Sequence, residues 1–295
     1  MPDAGAHCLP GLFREEAPPS ALYYASRHGV AVVAIRQRDL SEADLKTILR
    51  YRLVHALMNG DVDPDATTVR GADHEWWFPG SPDDVHLIAA TPDEGRILCY
   101  MALATLHGAT PDMTLYSAPR PQFEVEDVFG PTVFHGIDAL RSVPLTAIIE
   151  GRRFFRAKTR PVAIEIGTRS SAELGVAFYR TIVDGLPRVQ AVVGDVEAAG
   201  AQANLRYFGL PHLRMPDARP VAATPYPGAV REVSAYPVAL VTQDMRQAEP
   251  RVAAIEAALA RPGGEGIQAL FALFSGRRIS ASTAGSMAGV EARAR

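Results

Sequence analysis

Cysteine is nearly missing from this chain: Cys8 and Cys99 are the whole supply in 295 residues. Two cysteines cannot build the multi-bridge framework of a small secreted domain, and a reducing, cytoplasmic setting is expected. No run of about 18 apolar residues occurs, so no membrane span is expected. The first twenty residues carry acids and prolines in place of the basic-then-apolar order of a signal peptide. Charge of one sign is lacking as well. Thirty Lys and Arg stand against 33 Asp and Glu, a net charge of −3, which leaves no electrostatic footprint for nucleic acid. The eight histidines, among them His55, His86, His107 and His135, show no metal-ligand spacing. Neither G-x-S-x-G nor a P-loop is present, so no metal and no tightly bound cofactor is expected.

What is present is a chain with 47% hydrophobic residues, enough for a sizeable core. Gly29–Ile35 is a short β-branched run that predicts a strand. Ser41-Glu-Ala-Asp44 is a capping box opening a helix, which places Leu45, Ile48, Leu49, Leu53, Ala56 and Leu57 on one stripe and stops near Asn59-Gly60. Arg52 lies inside that stripe. An arginine facing a core needs an acidic partner, so a carboxylate is expected opposite this helix, with Glu150 the candidate.

Asp84–Ala90 and Arg96–Ala104 read as a hairpin across Thr91–Gly95. Leu145–Phe155 is the next strand. A second helix is predicted over about Ser171–Val183, with Ser171 as its N-cap and Leu174, Phe178 and Ile182 on one face. The nearly all-apolar run Val189–Val193 has the pattern of a buried parallel strand. A third helix follows over about Glu197–Phe208, then an antiparallel pair formed by Arg231–Ser234 and Tyr236–Thr242. Two short helices close the order, one from Pro250 to Pro262 and one over about Gly266–Phe274. The boundaries expected are an arm over 1–20, one domain over 21–246, a helical extension over 247–277 and a disordered tail over 278–295. The order predicts an α/β fold: a mixed sheet with helices on both faces.

The most informative segment is Ile148-Ile-Glu150-Gly-Arg152-Arg153-Phe154-Phe155. Residues three apart on a regular strand point to opposite faces, but a bulge, for which Gly151 offers the natural host, returns Glu150 and Arg153 to one face. This segment resembles the central-strand signature of the acyl-homoserine-lactone (autoinducer) synthases: a Glu followed three residues later by Arg and Phe. Arg50-Tyr-Arg52 is similar to that family's arginine-bearing helix, and Gln122–Phe129 to its short segment ending in Asp, an apolar residue and Phe. Ala203–Pro211 resembles its helix-to-turn segment. The resemblance spans about residues 30–243. It implies a GNAT-like splayed sheet and acyl transfer from acyl carrier protein or coenzyme A to the amine of S-adenosylmethionine. Two positions depart from the family. Its second-strand arginine falls at Ala102, and of its two loop aspartates only Asp73 is matched, with Trp76 at the other position.

The resemblance implies roles for Glu150 and Arg153 in catalysis. It implies substrate binding by Arg52, Asp73, Trp76, Trp77, Phe78, Phe129 and Phe154. Carrier contacts are expected of Arg152 and of Gly167, Thr168, Arg169 and Ser170, which precede the predicted second helix, where backbone N–H groups can meet a carrier phosphate. The residues themselves leave alternatives open. Glu150 serves as base or as ion-pair partner, Arg153 as a carboxylate clamp or as an anchor for Glu150. Trp76, Trp77 and Phe78 stack on a substrate or staple the chain to the sheet. The expected function is transfer of an acyl group from a phosphopantetheine thioester to an amino-acid-like amine. The alternatives are a non-catalytic GNAT-fold binding module and an enzyme that cleaves or cyclises S-adenosylmethionine. Partners expected are small-molecule substrates and an acyl carrier protein; whether the helices after residue 248 make a homodimer contact, a lid or packing stays open.

Overall fold

The computed structural model describes residues 7–13, 16–60, 62–71, 73–75, 80–157, 164–197, 201–214, 221–222 and 234–275. The expected stack of Trp76, Trp77 and Phe78 lies outside these residues, as do 231–233 and the tail 278–295.

Strands β1 (Tyr23–Arg27) and β2 (Val30–Arg36) form a hairpin that leads into helix α1 (Glu42–Asn59). The Asp44 N–H donates to Ser41 Oγ at 3.1 Å, and Gly60 closes the helix in the left-handed region, as the capping box and Asn-Gly stop predict. A short α2 (Pro64–Arg70) precedes the long hairpin of β3 (Val85–Ala90) and β4 (Ile97–Thr105). Helix α3 (Glu124–Phe129) and strand β5 (Ile148–Arg156) follow. Next come α4 (Ile164–Arg180), continued by a π-turn to Gly185, and β6 (Ala191–Glu197). Then come α5 (Ala201–Tyr207), β7 (Leu213–Arg214), β8 (Val221–Ala222) and β9 (Ser234–Val241). Helices α6 (Thr242–Met245), α7 (Glu249–Leu259) and α8 (Gly263–Phe274) end the described chain.

Among the described residues the nine strands form one sheet in the order β1-β2-β3-β4-β5-β6-β9-β7, with β8 also on β9. Every pairing is antiparallel except β5 with β6. On one face α4 covers β1–β4, and α7 and α8 stack on α4. That layer holds the largest core, built from residues such as Val32, Leu87, Leu103, Val192, Leu174, Phe178, Ile255 and Leu270. On the other face α1 covers one half and the segment around α3 covers the other.

Three expectations are corrected. Residues 7–13 do not form a loose arm: Leu9, Leu12 and Phe13 are buried, and Leu9 N–H donates to Gly95 O at 2.9 Å. A Cβ on Gly95 would come within 2.6 Å of the Leu9 backbone, so glycine permits this closure. Helix α4 is already formed at Ile164, and Ser171 sits inside it, its hydroxyl donating to Gly167 O at 3.0 Å. Ser234 belongs to the same strand as Tyr236–Val241, and that strand pairs with β6.

Candidate active site

Strand β5 pairs with its parallel neighbour only over Ile148–Gly151, opposite Ala191–Gly194. Beyond that point β6 stays with β9 while β5 continues along β4, so the two parallel strands part. A Cβ on Gly194 would stand 2.9 Å from Gly151 O, so glycine at the apex permits the close approach that precedes the opening.

A bulge adjoins the apex. Between the pairs Ala102–Arg152 and Tyr100–Phe155, β5 holds two residues against one on β4. The extra residue is Arg153 rather than Gly151, and it sits at φ +60. The left-handed region costs a non-glycine residue about 1–2 kcal/mol, and such outliers collect at functional sites. Here the cost is offset by what the turn does for the guanidinium. Arg153 Nη1 donates to Glu124 Oε1 at 2.9 Å, and its Nε lies 3.4 Å from Glu75 Oε1.

These contacts belong to a chain of alternating charge. Arg52 Nε lies 2.5 Å from Glu75 Oε2, and its Nη2 donates to Oε1 at 2.8 Å. Glu75 bridges to Arg153, Arg153 to Glu124, Glu124 to Arg152 Nη1 at 3.4 Å, and Arg152 Nε to Glu150 Oε2 at 2.7 Å. Glu150 also accepts the N–H groups of Glu124 at 3.0 Å and Val125 at 2.7 Å, closing the first turn of α3. Burial pushes the Glu150 carboxyl up to about 7, against the opposing pull of Arg152. Glu150 can therefore gain or lose a proton near neutrality.

A second branch enters from β3. Arg52 Nη1 lies 3.3 Å from Tyr100 Oη, which is 2.8 Å from His86 Nδ1, and His86 Nε2 is 3.4 Å from Gln37 Oε1. An amide oxygen only accepts, so His86 carries its proton on Nε2 and accepts the Tyr100 hydroxyl hydrogen bond at Nδ1, which leaves Tyr100 Oη to accept from Arg52. Burial and the Arg52 charge push the imidazole down to about 3, keeping it neutral in that role.

The carboxylate expected opposite Arg52 is thus present, but it is Glu75 and not Glu150. Glu75 is not among the sequence candidates, although it stands directly before Trp76, and Glu124 lies unassigned inside the segment Gln122–Phe129. Glu150 and Arg153 do join one network, through Arg152 and Glu124. Arg152 is part of this network, paired with Glu150 and Glu124. Asp73 lies on the surface, held by Arg50 at 2.5 Å and by Lys46 and His74. Phe154 is exposed beside the bulge, and Phe129 packs at the edge of the α3 core.

The carrier-contact reading does not suit Arg169 or Ser170. Arg169 is buried and donates to the carbonyls of Leu259, Arg261 and Gly263, closing the end of α7, while Ser170 donates to Gly167 O. Thr168 is half-buried on α4, its hydroxyl donating to Ile164 O at 2.8 Å, and Gly167 lies under Arg156: a Cβ there would come within 2.2 Å of the Arg156 guanidinium. Cys99 is buried, and burial pushes its thiol up, which suits packing rather than nucleophilic attack. Among the described residues no group of His, Cys, Asp and Glu could hold a metal, and no helix is long and apolar enough to cross a membrane.

A mixed sheet with helices on both faces, one parallel pair that splays and a bulge on the central strand is the GNAT-like acyltransferase fold, here with added C-terminal helices. The comparison that establishes it is with the AHL synthase LasI, which superposes with a TM-score of 0.50 and 14% identity, over 76% of this chain and 95% of that one. The CoA-dependent acyl-homoserine lactone synthase BjaI, solved with SAM and isopentyl-CoA, gives 0.46 and 15% over 81% and 97%. FeeM, an N-acyl amino acid synthase from uncultured soil microbes, gives 0.42 and 10% over 73% and 94%. No family model matches the sequence, and no curated protein does.

Proposed function

We propose that this chain is an N-acyltransferase that moves an acyl group from a phosphopantetheine thioester to the amine of an amino-acid-like acceptor. The observation that carries the reading is the strained Arg153 bulge beside the Gly151–Gly194 apex, with a buried network ending on Glu150. A parting of parallel strands leaves β5 beyond Gly151 without β6 as its ladder partner, an edge suited to the amides of a pantetheine arm. The likeness to LasI supports the fold on which this reading rests. The donor is carried on acyl carrier protein or coenzyme A, and S-adenosylmethionine is the acceptor that the sequence resemblance implies.

The amine nitrogen attacks the thioester carbonyl, the C–N bond forms and the C–S bond breaks. The amine gives up one proton and the departing thiolate takes one. Glu150, titrating near 7, receives the amine proton through a water. Arg152 is the network cation with the greater exposure, 18% against 5% for Arg153, so it is the one that meets an acceptor carboxylate. Arg153, Glu75 and Arg52 position it. Acyl transfer then runs by direct attack, with no covalent intermediate on the protein.

The test is to incubate the protein with S-adenosylmethionine, amino-acid amines and a panel of acyl thioesters, following thiol release and acylated amine by mass spectrometry. Thiol release with acylated amine is expected, and Glu150→Gln should slow single turnover by about 10²-fold. A binding module is the second reading, favoured by how fully Glu150 is engaged by two N–H groups and Arg152. Thioester binding without thiol release across the panel would select it.

A further inference from the structure

At the end of the sheet away from the splay lies a cavity of about 500 Å³, within the usual range for small-molecule pockets. Its walls are the buried side chains of Val85, Leu103, Ile149, Leu186 and Val189. Its rim is charged: Arg36 from the end of β2, Arg38 from the turn after it, Arg188 from the loop before β6, and Asp83. Asp83 takes Arg38 at 2.7 Å and Arg36 at 3.8 Å. Arg188 is exposed and has no ion-pair partner among the described residues. Two net positive charges therefore stand over an apolar floor.

This composition selects for a particular ligand. A neutral apolar molecule would leave the rim unused, a cation would meet repulsion, and a small inorganic anion would leave the floor wet. An amphiphile with a compact anionic head and a short aliphatic body satisfies both parts, since a guanidinium binds carboxylate or phosphate oxygens through paired N–H donors. The cavity uses the start of β5 (Ile149) and the preceding Thr146, whereas the splay opens after Gly151, so the two regions lie at opposite ends of that strand. We infer that this cavity is a binding site, separate from the proposed acyl-transfer site, for an aliphatic carboxylate or phosphate.

Calorimetric titration of the full chain with decanoate, decyl phosphate and decyltrimethylammonium tests the inference below their micellar range. One equivalent of at least one anionic probe should bind, with no measurable binding of the cation; which anion binds tighter identifies the head group. The double variant R38E/R188E, both positions being exposed, should weaken the anion by about tenfold or more. Asp83→Asn, which removes the opposing charge, should tighten it by a few-fold. Phe154→Ala, at the splay, should leave it unchanged. Equal anion affinity in the wild type and in an R38E/R188E protein with wild-type melting would overturn the inference. So would loss of anion binding in Phe154→Ala, equal binding of the cation, or no binding of either anion. These titrations contain no thioester or amine acceptor, so their failure leaves the acyl-transfer reading standing, and the reverse holds too.

Discussion

On the face that carries α4, α7 and α8, charged groups, some buried and some partly exposed, join one element to another; on the face that carries α1 and α3, buried charge is strung into a chain that ends at the strand opening. Arg169 ties α4 to three carbonyls at the end of α7, Glu173 ties α4 to Arg27 on β1, and Arg180 ties it to Glu249 and Glu256. Each of these contacts would serve as well in a protein with no activity. The other face links Arg52, Glu75, Arg153, Glu124, Arg152 and Glu150 in turn, from α1 and the loop after α2 through α3 to β5, and holds one member in a strained backbone conformation. Buried ion pairs give little net stability over apolar packing, yet removing one partner is costly. On the function proposed above, the network that also bears backbone strain serves the site, and the variants below test that against a purely architectural role.

The largest effect should come from breaking the chain at its shared carboxylates. Glu75→Gln leaves two buried arginines short of one charge and should cost about 3 to 5 kcal/mol in urea denaturation. Arg153→Ala should cost a similar amount, but Arg153→Gly should be about 1 kcal/mol less destabilised, because glycine accepts φ +60 freely. Equal destabilisation by Ala and Gly would show that the bulge carries no strain. On the opposite face, Arg169→Ala leaves three carbonyls without their donor and should cost about 2 to 3 kcal/mol. Its mark should be faster hydrogen exchange in α7 and α8 with acyl transfer per folded molecule unchanged. A loss of transfer there would erase the contrast between the faces.

A sharper comparison uses two acids that share a property. Burial pushes both Glu150 and Glu173 up to about 7. An acid whose folded pKa lies above its unfolded value near 4.5 keeps its proton longer in the folded state. Each therefore favours folding at low pH, and that advantage is lost as pH rises from about 4.5 to about 7. Glu173→Gln and Glu150→Gln, neutral throughout, should each remove one such slope, worth about 1 to 3 kcal/mol across the window. Parallel stability profiles for the wild type and Glu173→Gln would refute the shift. Only Glu150→Gln should also flatten the pH dependence of single-turnover transfer near 7.

Much of this arrangement is legible in the sequence, and the failures have physical causes. Helix α1, the β3–β4 hairpin and β5 follow from caps and periodicity, and Arg52's place in an apolar stripe requires a carboxylate. Which carboxylate is decided by a loop whose path periodicity does not encode, so Glu75 is missed in favour of Glu150. A bulge near Glu150 is foreseen, but Gly151 is the wrong residue. It lies against Met101, 3.1 Å from where a Cβ would stand, and Gly194 closes on its carbonyl, so the turn falls to Arg153, held by two carboxylates. The start of α4 is misread because Thr168 and Ser171 look like turn residues. In the helix their hydroxyls donate to carbonyls four residues back, which satisfies them without a break.

The smallest effect sharpens the comparison within three residues of one loop. Asp73 and Glu75 both pair with arginines of α1, and charge alone does not rank them. Asp73 meets Arg50 and Lys46 in water, where screening leaves an ion pair little worth. Glu75 meets Arg52 and Arg153 with almost no solvent contact. Asp73→Asn should leave the thermal midpoint within error of wild type at 0.5 M salt, and kcat should be unchanged. If Asp73 instead helps bind the acceptor, as the family resemblance implies, KM for the acceptor rises while the midpoint stays put. A fall in kcat equal to that of Glu75→Gln would mean that the loop acts as a unit, and burial would no longer separate the site from its surroundings.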